Sequence, residues 1–99
     1  DWLDKKLRAK VAVHISLLEE QWPNLKRPYA DTVKGKIREL RIHYGSNQYR
    51  ILYFFQMRDQ IVLVHAFIKK TEQLRTRDIE LAEKRMHDWI KRHFAGGRV

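Results

Sequence analysis

At the start of the chain, Leu3, Leu7, Val11, Ile15, Leu18 and Trp22 recur every three or four positions, with Lys5, Lys6, Arg8 and Lys10 off that stripe. This spacing predicts an amphipathic helix over residues 1–22. Pro23 ends it, since proline cannot continue the hydrogen-bond ladder. Residues 23–36 read as a connector, with a turn at Pro28-Tyr29 and a short helical turn around Tyr29–Val33. The period then changes to two. Leu40, Ile42 and Tyr44 alternate with Arg41 and His43, and Ile51, Tyr53 and Phe55 with Arg50, Leu52 and Phe54. Such alternation sends successive side chains to opposite faces of a sheet. It predicts strands over Ile37–Tyr44, Gln48–Met57 and Ile61–Ile68, joined by turns at Gly45-Ser46-Asn47 and Arg58-Asp59-Gln60. In the last strand His65 should share a face with Leu63, Phe67 and Lys69.

A final helix follows, with Thr76 as expected N-cap and Asp78 and Glu80 in the first turn opposing the helix dipole. Ile79, Ala82, Met86, Trp89, Ile90 and His93 mark its apolar face, and Ala95–Val99 should fray. The predicted architecture is α+β: one domain over 1–99, in which helix, three-stranded antiparallel meander and helix follow in that order. Each large side chain buried between helix and sheet contributes about 1.5–3 kcal/mol. Two helices should still leave part of one sheet face open.

Charge sharpens this picture. The 99 residues carry a formal charge of +9, and 43% are hydrophobic, a globular balance. From Lys34 to Lys70 there are eight Lys or Arg against two acids, Glu39 and Asp59. Such a surface suits a polyanion. An arginine inside a central strand is costly unless it is paired or faces water. Arg41 and Arg50 therefore suggest an anion site on the open sheet face, with the Lys69-Lys70 pair converging there. The absence of cysteine removes disulfides and thiolate metal sites and fits a cytoplasmic protein. No apolar run approaches the ~20 residues of a membrane span, and no signal peptide is visible. No histidine pair has helical ligand spacing with a third ligand nearby, so neither metal nor cofactor is expected.

The run Glu39-Leu40-Arg41-Ile42, then Tyr44 through Phe55, resembles the core signature of the RelE/ParE toxin superfamily. The later stretch from Ile61 through Thr71, ending Phe67-Ile68-Lys69-Lys70-Thr71, resembles its phage-derived, HigB-type branch. The resemblance covers nearly the whole chain. It implies a RelE-like fold and the toxin of a type II toxin–antitoxin pair: an endoribonuclease that cuts mRNA in the ribosomal A site. The implied partners are mRNA on the ribosome and a cognate helix-turn-helix antitoxin. The family also opens with a further strand ahead of the helix, so the N-terminus is expected to be incomplete, in keeping with a first residue other than Met.

Metal-free RNA cleavage lets the 2′-hydroxyl attack the adjacent phosphate, and cationic side chains offset the charge that develops on the phosphoryl oxygens. Arg50 is the first candidate for that role because the family's central-strand arginine falls there; Arg41, Lys69 and Lys70 follow. Acid–base work needs a group that titrates near neutrality; His65 and His93 are the first candidates and His43 the third. His43 shares the face of Arg41, and with Lys36, Arg38, Arg75 and Arg77 it is expected to contact RNA. Three other readings compete. A ParE-like gyrase inhibitor would share the fold but generally lacks the basic set on the sheet. A double-stranded RNA-binding domain would share the element order, but Asp78, Glu80 and Glu83 would repel a backbone tracked by its last helix. Membrane binding through the first helix is weakened by Asp1, Asp4, Glu19 and Glu20.

Overall fold

The computed structural model describes residues 4–56 and 60–95. Six main elements run in the order α1 (Lys5–Gln21), β1 (Ala30–Lys34), β2 (Ile37–Tyr44), β3 (Asn47–Gln56), β4 (Gln60–Lys69) and α2 (Thr76–Ile90), followed by one π-helical turn at Lys91–Ala95. The sheet is a four-stranded antiparallel meander in the order β1-β2-β3-β4. Leu3, the first position of the expected stripe, lies outside the described residues, as do Met57, the Arg58-Asp59 part of the second hairpin and most of the expected frayed tail.

Asp4 caps α1, its Oδ1 accepting from the backbone N–H of Lys6 at 2.7 Å and of Leu7 at 3.3 Å. The apolar stripe then buries Leu7 and Leu18 on one sheet face against Leu25, Leu40, Ile42, Tyr49, Ile51 and Tyr53. Trp22 packs against Phe55 with the rings tilted at 45° and their centroids 4.9 Å apart. The other face packs Ile37, Leu52, Phe54 and Val64 against Ala82 and Met86 of α2, with Trp89 edge-on to Phe54. Each helix thus covers its own face of the sheet.

Four expectations require correction. The connector does not form a helical turn at 29–33; Ala30–Lys34 pairs with β2, so the meander has four strands and not three. A short edge strand with Ala30 as its one fully buried side chain carries almost no period-two signal. Its pairing satisfies the outer backbone groups of β2. Gly35, at φ +54°, opens the tight turn between them.

Next, Leu63 and His65 do not share a face. Tyr53 pairs with Leu63 while Leu52 pairs with His65, so one extra residue sits in β4 at this point. Such a bulge resets the alternation. Arg85 of α2 donates to the Val64 carbonyl there at 2.8 Å. Finally, Arg75 and not Thr76 is the N-cap of α2, without a side-chain capping bond. His93, placed on the apolar face by the sequence pattern, is exposed: it stacks on Trp89 at 4.0 Å, its Nδ1 2.8 Å from the Trp89 carbonyl.

Candidate functional site

α2 begins beside His65 and ends beside Phe54, so it covers one end of its sheet face. The other end, toward the β2–β3 turn, carries Glu39, Arg41, His43, Gln48, Arg50, Phe67 and Lys69. The register brings them together. Arg41 pairs directly across from Arg50, His43 across from Gln48, Arg50 across from Phe67, and Gln48 across from Lys69. The hairpin that sets this register turns tightly at Gly45-Ser46, with Gly45 at φ +62°, a value that favours glycine.

Two guanidinium groups facing each other across strands should repel. Glu39 resolves this. It lies on the same face two residues before Arg41 and diagonal to Arg50. Its Oε1 is 3.2 Å from Arg50 Nε, and its Oε2 is 3.9 Å from Arg41 Nε. Arg50 is only 2% exposed. Its NH1 also donates to the Tyr49 carbonyl at 3.0 Å and to Gln48 Oε1 at 3.4 Å. Arg41 is looser, with about a quarter of its side chain in solvent (27%). Burial lowers the Arg50 pKa, partly offset by the attraction of Glu39. Lys69 is lowered as well, first by burial and then by the charge of Arg50, with a further contribution from Arg41. One carboxylate therefore faces three cations, and the local charge stays positive.

The remaining candidates divide into three groups. His43 is exposed on the cluster's own face. Lys70, Arg75 and Arg77 are exposed and line a cavity at the β4–α2 loop together with Lys69. Lys36, Arg38, His65 and His93 stand apart. Lys36 lies in the β1–β2 turn, at the opposite end of the sheet. Arg38 is on the α1 face, where it donates to the Leu25 carbonyl at 3.1 Å and to the Tyr53 hydroxyl at 3.3 Å and lies over Phe55. His65 Nε2 is 2.8 Å from Asp78 Oδ1, which ties β4 to the first turn of α2. His93 lies past the far end of α2 from the cluster.

Two participants were not marked by sequence reasoning: Glu39, counted only as an acid, and Asp78, read only as a dipole partner and a source of repulsion. The i, i+2 spacing of Glu39 and Arg41 within one strand was the available signal for the first. The Asp78 contact spans two elements and left no local trace. Among the described residues, no three His, Cys, Asp or Glu side chains gather as metal ligands would. No described helix is long and apolar enough to cross a membrane.

A comparison with curated proteins returned no match. The family model described as "Phage derived protein Gp49-like (DUF891)" matches residues 1–87. With a match over that much of its length, the chain belongs to the phage-derived Gp49-like family, a RelE-like toxin family.

Proposed function

We propose that this protein is the toxin of a type II toxin–antitoxin pair, of the HigB-type branch, and that it is a metal-independent, ribosome-dependent mRNA endoribonuclease. The observation that carries the reading is the cluster of Arg41, Arg50 and Lys69 around the single carboxylate of Glu39 on the part of the sheet that α2 leaves uncovered. A surplus of positive charge held on strands is preorganised to receive a phosphate. The roles follow exposure. Arg41 and Lys69, which solvent reaches, contact the phosphoryl oxygens. Arg50, almost wholly buried, acts as a positioning residue: it draws on Glu39 and thereby leaves Arg41 only loosely held.

In the reaction a ribose 2′-hydroxyl gives up its proton and attacks the adjacent phosphorus. The bond to the 5′-oxygen breaks, and that oxygen takes up a proton as it leaves, which yields a 2′,3′-cyclic phosphate. His43, exposed two residues from Arg41 on the same face, is the proton acceptor that the arrangement offers. The partners of this reading are mRNA on the ribosome and a small helix-turn-helix antitoxin, with acidic residues where it meets the basic face.

The reading is tested with purified ribosomes programmed with a short mRNA. Wild type should cut the message, and folded Arg41→Ala should lose about 10²–10³ in rate, as for removal of one transition-state donor. Intact mRNA in the presence of toxic, folded protein would overturn the reading, and DNA breakage under the same conditions would point to gyrase as the target.

A further inference from the structure

The cavity at the β4–α2 loop encloses about 220 Å3 and adjoins the cluster through Phe67 and Lys69, the cross-strand partners of Arg50 and Gln48. Its walls differ in chemistry. Phe67, half-buried, is stacked on the His65 ring at 5.1 Å and 26°. Leu74 adds a second apolar surface, packed on the α2-side core. The lining cations are Lys69, Lys70, Arg75 and Arg77, and Asp78 is the one acid. One oxygen of Asp78 is already engaged by His65. Among the described residues, Lys70, Arg75 and Arg77 form no ion pair.

We propose that this cavity holds one nucleotide of the RNA strand next to the cleaved phosphate, its base against Phe67 and Leu74 and its phosphate among Lys70, Arg75 and Arg77. The inference rests on the nuclease reading for the identity of the strand. Its own support is the pairing of an aromatic wall with unpaired cations. A phosphate alone would need no apolar wall, and the space exceeds what it would fill. Single-stranded RNA, by contrast, is gripped by bases stacked on aromatic rings and a backbone held by cations. The cavity lies on the same sheet face as Arg41, so one strand could run across both.

The test uses the full chain, isotopically labelled, titrated with adenosine 5′-monophosphate, with ribose 5-phosphate and with a tetraglutamate peptide. The backbone amides of residues 67–78 are followed by NMR. The nucleotide should shift those amides saturably and bind roughly ten-fold more tightly than ribose 5-phosphate, the increment expected of a stacked base. Phe67→Leu, which keeps an apolar side chain, should erase that advantage, whereas the exposed pair Arg75→Ser and Arg77→Ser should weaken both phosphates alike. Equal affinity for nucleotide and ribose 5-phosphate would overturn the inference. So would shifts confined to other segments, or a loop that answers only to tetraglutamate. Nucleotide binding at the loop in a protein that never cuts RNA would uphold the cavity and remove the nuclease. Cutting by a protein whose loop ignores the nucleotide would do the reverse.

Discussion

Arg50 Nε and Glu39 Oε1 lie 3.2 Å apart with both atoms shut off from solvent, yet they are not aligned as a hydrogen bond. The contact is therefore a buried Coulombic pair whose desolvation is only partly recovered. Removing one member strands the other. Glu39→Gln should lower stability by roughly 3–5 kcal/mol, because it leaves the buried Arg50 without its counter-charge. The double variant Glu39→Leu with Arg50→Met should be more stable than either single one, since no buried charge remains. Urea unfolding of wild type, Glu39→Leu, Arg50→Met and the double variant measures the coupling.

Lys69 links charge to pH. Its pKa is lowered from the ordinary 10.5, first by burial and then by Arg50. The charged form is thus disfavoured in the folded state, and the cost to stability is relieved as pH rises through the lowered value toward 10.5. Binding responds in the opposite sense, because a phosphate needs the charge. Affinity for a single-stranded RNA should fall at a lower pH than an ordinary lysine would allow, and Lys69→Arg should carry that fall upward. Fluorescence anisotropy between about pH 7 and 11 shows the limb.

Salt dependence counts the cations that a strand engages. For single-stranded RNA, removing one phosphate-binding cation should flatten the slope of log affinity against log salt by about 0.7. Arg41→Ala should show that reduction. Arg38→Ala should leave the slope unchanged, since its guanidinium is spent on the α1 face against Leu25 and Tyr53. A salt titration of both variants separates surface cations from structural ones.

His65 and Asp78 pin α2 to the sheet at the mouth of the loop cavity, 2.8 Å apart with each side chain mostly buried. Asp78→Asn should cost about 1.5–3 kcal/mol, as expected for a hydrogen bond to a charged group. Amide exchange should quicken in the first turn of α2 before it does in β3. Uniform acceleration across both elements would show that the pair stabilises the whole fold and not the helix terminus.

Local pattern was enough for much of this protein. The 3.6-residue stripe in α1 and α2 and the two-residue alternation in β2 and β3 depend only on which side chains shun water, and those elements appear close to where the pattern puts them. The same alternation placed Arg41 and Arg50 on one face. What it could not supply was anything set by a partner distant in the chain. β1 exists because β2 has an outer edge to satisfy, and Ala30 alone hardly announces it. The bulge at Val64, invisible in a run of apolar residues, turned Leu63 away from His65 and left a carbonyl for Arg85. Above all, the sequence determined that arginines would stand in the sheet, whereas tertiary packing decided which of them meets solvent. Arg50 is buried beside Glu39 and across from Phe67, and Arg41 stands at the margin, because burial is a property of the neighbours assembled around a side chain and not of the residue itself.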